Sequence, residues 1–316
     1  MTASSPRTAV VGAGIAGIAC ARELLAAGRD VTVYDRSHLP GGRMASRTLQ
    51  GRRVDLGASY LTADDERFQA VVDDWVDRGV AHPWTWDFSV RGDDGALATK
   101  SGPLRYGARD GLRSLVVDLA TGIEVRQDTR VSEVGPGPTV DGTAYETVVL
   151  AMPDPQALAL LAPGLPEARA LLADREWEPS LALAAGFAER SWDLDGLFVN
   201  DDPVLSWIAD DGRRRHDGAP VLVAHSTPTF ATPRLADPDA AGPDLVAALR
   251  AQLDLPEPLW SRVQRWTFAK PVGTRDAAYG LAGPIGLCGD GWGRSKVEAA
   301  WLSGHLLGRR LAGLDT

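Results

Sequence analysis

Hydrophobic and polar positions change period several times along the chain, and each change marks an element. Thr8-Ala9-Val10-Val11 is a short β-branched and apolar run of the kind that forms a buried strand. It stops at Gly12-Ala13-Gly14-Ile15-Ala16-Gly17. A helical period then places Ile18, Leu24 and Leu25 on one side, and Gly28 ends it. Val31-Thr32-Val33-Tyr34-Asp35 returns to strand and finishes on an acid. Further on, Tyr106–Ala120 carries a helix start at Gly111 and Leu115, and Ile123–Val125 and Arg130–Val134 alternate as strands. Thr147-Val148-Val149-Leu150 and Gly286-Leu287-Cys288 run apolar without alternation, and Lys296–Gly304 opens a helix that continues past Leu311. Continuously apolar strands belong to a parallel sheet covered on both faces, so the pattern predicts an α/β, doubly wound fold.

Strand, glycine turn, helix, strand and acid in that order form a dinucleotide-binding βαβ unit. Gly12 permits the tight turn, Gly14 lets the backbone approach a pyrophosphate, and Gly17 lets the helix pack on the strand. The helix start at Ile15 and Ala16 offers free N–H groups and a partial positive charge to phosphates. Asp35, beside Arg36, stands where a carboxylate accepts from both ribose hydroxyls, which selects FAD or NAD over NADP.

Composition narrows the field by exclusion. The 316 residues carry a formal charge of −9, which removes the attraction that non-specific nucleic-acid binding needs. The only lysines, Lys100, Lys270 and Lys296, do not follow a glycine, so the chain has no P-loop. No Gly-x-Ser-x-Gly elbow occurs. The five histidines show no metal-ligand spacing, and no metal is expected. Two distant cysteines, Cys20 and Cys288, exclude a disulfide scaffold and a thiolate cluster. No apolar run reaches membrane-spanning length. Ala9–Ala21 after Arg7 has the length of a signal-peptide core, but the phase of its glycines and the strand at Val31–Asp35 favour the nucleotide unit. The expected location is cytoplasmic.

Pro40-Gly41-Gly42-Arg43-Met44 follows Asp35, and Arg53-Val54-Asp55-Leu56-Gly57-Ala58-Ser59-Tyr60 comes next. Here the chain resembles the FAD-dependent amine-oxidase superfamily, most closely its renalase-like branch. The resemblance implies non-covalent FAD. Gly42, Arg43 and Met44 would follow the pyrophosphate and ribityl chain, Gly57, Ala58 and Ser59 would pass beside the flavin ring, and Val131 would lie on the adenine side. The superfamily's Gly-Asp pair maps onto Gly289 and Asp290, with Asp290 on the ribityl chain and Lys296 and Val297 opening the helix aimed at the flavin. Flavin-linking relatives use a cysteine just before that helix; Cys288 lies inside a strand instead, as an inert thiol would.

The resemblance also implies a discontinuous arrangement. The FAD-binding domain is expected at 1–78, 105–155 and 270–316, and a substrate domain on a mainly antiparallel sheet at 79–104 and 156–269. Ser206–Ala209, Val221–Thr227 and Val263–Pro271 resemble renalase-like strands. Departures are Ser59 in place of glutamine, the loop Asp210–Gly218, and Arg294-Ser295-Lys296. Arg213-Arg214-Arg215 reads as a solvated loop. His225, Tyr60, Trp266 and Trp292 are the catalytic candidates, the tryptophans as stacking surfaces for a flat substrate. His225 has a structural alternative, a satisfied histidine at the end of an apolar strand. The implied reaction transfers a hydride from a small molecule, such as a 2- or 6-dihydro-NAD(P) isomer, to FAD, with O2 as acceptor and H2O2 as product. The alternatives are an amine oxidase or desaturase, and a non-catalytic dinucleotide sensor.

Overall fold

A computed structural model describes residues 7–92 and 95–314. Packing divides the chain into two compact units, one of Met1–Met44, Val116–Trp177 and Lys270–Thr316, the other of Ala45–Leu115 and Glu178–Ala269. The division at 269/270 coincides with the sequence-based one, and the other three fall elsewhere. Residues 45–78 go with the second unit because Val54 and Leu56 pack against Ala182, Ala184, Val221 and Val223 of its sheet. Residues 156–177 go with the first because Ala157, Leu161, Ala168 and Leu172 complete its core.

The first unit is built on a six-stranded sheet. From one edge its order is Gly280–Ala282, Ile285–Leu287, Thr147–Leu150, Arg7–Val11, Asp30–Tyr34 and Val125–Arg126. All neighbours are parallel except the Gly280–Ala282 hairpin strand. Val10 pairs with Val33 on one side and Val149 on the other, so the central strand is buried, as its unbroken apolar run requires. Chain order reverses between Arg7–Val11 and Thr147–Leu150, and open α/β sheets bind ligands beyond the carboxyl ends of their strands at such a point.

Helix Ile15–Ala26 follows the first strand and is buried on nearly every side over Ile15–Ala21, which its small and apolar residues allow. Gly28, at φ +74°, closes it in the left-handed region. The last helix, Val297–Ala312, lies along it. Contact is close because Gly304 and Gly308 face Ala16 and Cys20: a Cβ on Gly304 would lie 2.6 Å from the carbonyl carbon of Ala16. The strand expected at Arg130–Val134 is a correction. Only Val134 enters a strand, Val134–Gly135, because Asp141 caps the backbone N–H groups of Ser132 and Glu133 and bends the segment. Likewise only Val125 of Ile123–Val125 is extended, in Val125–Arg126.

The second unit carries a seven-stranded sheet in the order Trp260–Pro271, Trp177–Gly186, Val221–Ser226, Leu205–Asp210, Gly196–Val199, His82–Arg91 and Leu97–Gly107. Among the described residues, Gly196–Val199 runs parallel to His82–Arg91, and the pairings Trp177–Gly186 with Val221–Ser226, Val221–Ser226 with Leu205–Asp210, Leu205–Asp210 with Gly196–Val199, and His82–Arg91 with Leu97–Gly107 are antiparallel. One face packs Leu181, Leu183, Leu222, Ala224 and Ile208 against helix Gly242–Leu253. A second correction concerns Arg213-Arg214-Arg215. Arg214 is 0% and Arg215 3% exposed, and these two belong to a buried ionic cluster rather than a solvated loop, while Arg213 stays partly exposed. Asp211 pairs with both Arg214 and Arg52, and Asp55 pairs with Arg215 at 3.7 Å. Buried guanidinium groups persist only with such partners.

Candidate cofactor site

In the first unit the carboxyl ends of the two central strands and the start of the first helix converge. Gly12 takes φ +109°, and a Cβ there would stand 2.5 Å from Ala151 O, so only glycine fits this turn. Gly14 meets the second glycine turn: a Cβ on Gly42 would lie 3.2 Å from Gly14 Cα, and Gly41 N donates to Ala13 O at 2.9 Å. Helix Ile15–Ala26 has no side-chain cap and no acid in its first turn. Ile15 and Ala16 are each only 5% exposed, so their N–H groups lie at the positive helix end without compensation from the chain itself. That donor set fits the pyrophosphate of a dinucleotide.

Asp35 follows the second strand. Its Oδ2 accepts from Ala13 N at 2.6 Å and its Oδ1 from Ser37 N at 2.8 Å, which fixes the carboxylate beside the glycine turn with lone pairs left for hydroxyl donors. Arg36 is exposed. Met44 and Val131 are buried, Val131 within the same core as Val11 and Tyr34. At the other end of the chain, Gly289 at φ +143° turns out of the strand Ile285–Leu287, and its N–H donates to Ser303 Oγ at 3.0 Å. Asp290 follows and forms a two-point ion pair with Arg43, one contact at 2.9 Å. The pair brings the Gly42–Met44 turn to the Gly289-Asp290 corner, joining residues 247 positions apart. The Arg43 guanidinium also lies 5.1 Å from the Trp177 ring centre. Lys296 is the exposed cap residue of the last helix, and Val297 its first residue.

Trp292 is 7% exposed in the first unit's core, with the Arg275 guanidinium 4.4 Å from its ring centre. Arg275 also pairs at 2.9 Å with Asp154, whose carboxyl burial pushes up. Trp177, Asp154 and Arg275 carry no sequence motif. A Trp177 followed much later by an arginine gives no local signal; only their meeting around Gly291 does. Cys20 and Cys288 are both buried free thiols; burial raises both, Cys288 to about 12. An open cleft of about 350 Å³, lined by Ala173, Asp174, Arg175, Glu176, Val272 and Arg275, also lies in this unit.

The second unit holds the remaining candidates, so the catalytic quartet is split three to one between the units. His225 and Trp266 meet at one atom: Trp266 Nε1 donates to Leu56 O at 2.7 Å, and His225 Nε2 stands 3.3 Å from the same oxygen. Desolvation pulls the His225 imidazole down to about 4. It is therefore neutral at ordinary pH, with the Nε2 hydrogen directed at Leu56 O. Gly57 and Ala58 are half-buried next to this anchor. Ser59 is buried, and its hydroxyl accepts from Trp207 Nε1 at 3.0 Å. Tyr60 packs into an aromatic cluster, 5.2 Å from Phe88 and 6.0 Å from Trp207 between ring centres. The Arg105 guanidinium covers Phe88 at 4.1 Å. Trp207 and Arg105 were not singled out by the sequence, where an alternating strand gives no sign of which tryptophan bonds to Ser59.

The family described as the NAD(P)-binding Rossmann-like domain matches residues 10–75. Phytoene dehydrogenase of Streptomyces griseus is 47% identical over 72 residues, 22% of this chain and 14% of that protein. Polyamine oxidase 1 of Oryza sativa subsp. japonica is 35% identical over 129 residues, 40% of this chain and 22% of that protein. The matches thus span less than a quarter of these relatives. Among solved structures, the putative protoporphyrinogen oxidase from Exiguobacterium sp. 255-15 superposes with TM-score 0.77 at 14% identity, over 98% of this chain and 99% of that one. Putrescine oxidase bound to putrescine gives 0.73 at 15% identity, over 98% of each. The fold is shared with these two oxidases. The uncapped helix, Asp35 and the Arg43–Asp290 corner supply donors and acceptors of the types a bound dinucleotide needs.

Proposed function

We propose that this protein is an FAD-dependent oxidoreductase that removes a hydride from a small substrate. The observation that carries the reading is the first helix, buried at its start and left without any cap of its own, beside the Asp35 carboxylate. The amides of Ile15 and Ala16 would hold the pyrophosphate and Asp35 the ribose. Gly42, Arg43, Met44, Asp290 and Val297 would hold the ribityl chain. Bound FAD supplies a two-electron acceptor, restored by O2 with release of H2O2.

The finer reading is that the substrate is a 2- or 6-dihydro-NAD(P) isomer. Loss of hydride from a dihydropyridine leaves an aromatic pyridinium and requires no base. His225 supports this choice, because its Nε2 hydrogen is directed at Leu56 O and its low basicity keeps it from collecting a proton. Tyr60 and Trp266 then orient rather than transfer protons. The two buried free thiols suit a reducing compartment such as the cytoplasm. Amine oxidation is the second reading, favoured by the fold shared with putrescine oxidase. Anaerobic addition of dihydro-NAD(P) isomers and of a polyamine panel to the purified yellow protein separates the two. Bleaching by the isomers supports the first reading, and bleaching by amines alone selects the second. A colourless protein that takes up no FAD refutes both.

A further inference from the structure

In the second unit the pairing of His82–Arg91 with Leu97–Gly107 is irregular. Thr85 pairs with Arg105 and Asp87 with Ser101, so Gly102, Pro103 and Leu104 bulge out of the ladder. Pro103 has no N–H to give to a ladder, and a bulge re-aims the side chains beside it. Here the re-aimed side chain is Arg105. Its Nη1 donates to Trp86 O, and its guanidinium lies 4.1 Å from the Phe88 ring centre and 6.0 Å from that of Tyr60. Gly102 leaves room for Nη2, since a Cβ there would stand 2.7 Å from it.

Arg105 is only 8% exposed. Arg214 and Arg215, also buried, are each paired with a carboxylate, Asp211 and Asp55. Among the described residues no carboxylate pairs with Arg105, and its buried Nε has no acceptor. A guanidinium cannot give up its proton, so the charge stays where it is. Ring faces and one carbonyl soften the loss of water but neutralise nothing. The Trp84 indole N–H is likewise buried without an acceptor. Trp84 lies against the same two rings, 6.2 Å from Tyr60 and 5.3 Å from Phe88 between centres. Two donors beside one pair of rings thus lack the same complement, a negatively charged acceptor. Tyr60 and Trp84 are half-buried, which leaves aromatic surface for a flat group to lie on.

We propose that Arg105 and Trp84, with Tyr60 as a stacking face, form a binding site for a small aromatic anion. Its carboxylate or phosphate group supplies the negative charge that Arg105 lacks within the chain. An unpaired buried cation also repels ammonium groups, so the site rejects amines. Arg105, Trp84, Tyr60 and Phe88 all belong to the second unit, and the site stands whether or not the protein carries FAD.

The test measures binding of benzoate, phenyl phosphate, inorganic phosphate and benzylamine to the full chain, by calorimetry and thermal unfolding. Benzoate or phenyl phosphate should bind the wild type and raise its Tm, and the tighter of the two identifies the anionic group. R105M should lose about tenfold or more of that affinity, and its Tm should no longer respond. W84F, which keeps a ring but loses the N–H, should bind about threefold more weakly or worse. A wild type that binds neither aromatic anion overturns the proposal, as does folded R105M with affinity within about twofold of wild type. Benzylamine or inorganic phosphate bound as tightly as the aromatic anions also overturns it. If R105M does not fold, R105K decides: it keeps the charge and loses the planar fork, so it should bind several times more weakly, and wild-type affinity overturns the proposal. A wild-type protein that takes up no FAD refutes the functional reading alone, and the anions still judge this site.

Discussion

Substituting Gly304 by alanine probes the seam that sets the first helix. The added Cβ would lie 2.6 Å from the Ala16 carbonyl carbon and 2.9 Å from Ala16 Cα. The Ala16 carbonyl oxygen would be closer still, and non-bonded carbon atoms pack at about 3.5–4.0 Å, so the two helices must separate by more than about 1 Å. A gap of that size forfeits roughly a quarter to a half of each contact's attraction along the seam. The neighbour is backbone inside a helix and cannot swing away, so the cost is about 1–3 kcal/mol, the range for overpacked cores. At roughly 2–4 °C per kcal/mol for a chain of this size, Tm should fall by roughly 2–12 °C. Because Ala16 belongs to the donor turn, the same displacement should weaken FAD binding by about tenfold. Gly28→Ala is the control: it strains a residue at φ +74° with nothing within 4 Å, so it should lower Tm yet leave FAD affinity unchanged. The assays are thermal unfolding of the apoprotein and FAD titration followed by flavin fluorescence. Gly304→Ala protein with wild-type Tm and wild-type FAD affinity would show that the helices do not meet as described.

Three further outcomes are expected. The His225 imidazole falls from 6.5 to about 4 on folding, so the unfolded chain binds its proton first; stability should drop as pH falls from about 6.5 to about 4, by up to about 3 kcal/mol, and level off below. His82, lowered mainly by desolvation and next by His216, acts in the same direction; urea unfolding at several pH values checks the slope, which His225→Gln should flatten. Native protein should react with no thiol reagent, and two thiols should appear on denaturation, because Cys20 and Cys288 are buried with raised pKa values; acid precipitation should leave the flavin in the supernatant. In a double-mutant cycle, Arg43→Met and Asp290→Asn should each weaken FAD retention and couple by about 1 kcal/mol, since the pair is only partly exposed; purely additive effects would sever the two glycine turns energetically.

Local patterns were enough for the nucleotide unit. An unbroken apolar strand, glycines in fixed phase, a small-residue helix ending at Gly28 and an acid after the next strand leave few alternatives, because each property acts over a handful of residues. The strands Leu205–Asp210, Val221–Ser226 and Trp260–Pro271 overlap Ser206–Ala209, Val221–Thr227 and Val263–Pro271, which family resemblance rather than period marked as strands. Arg130–Val134 was misread because alternation alone does not reveal that Asp141 takes the backbone hydrogen bonds a ladder would need.

Tertiary structure decided everything that depends on pairs far apart in the chain. Whether an arginine is a solvated surface charge or a buried strut depends on which carboxylates and carbonyls surround it. For Arg214 those include Asp55 and Ser59, more than 150 positions away. The same holds for Arg43 with Asp290, for His225 and Trp266 sharing Leu56 O, and for the seam where Gly304 rests on Ala16. Periodicity determines which side of an element is apolar, but charge burial and close approach are properties of partners, and partners are chosen only when the chain folds.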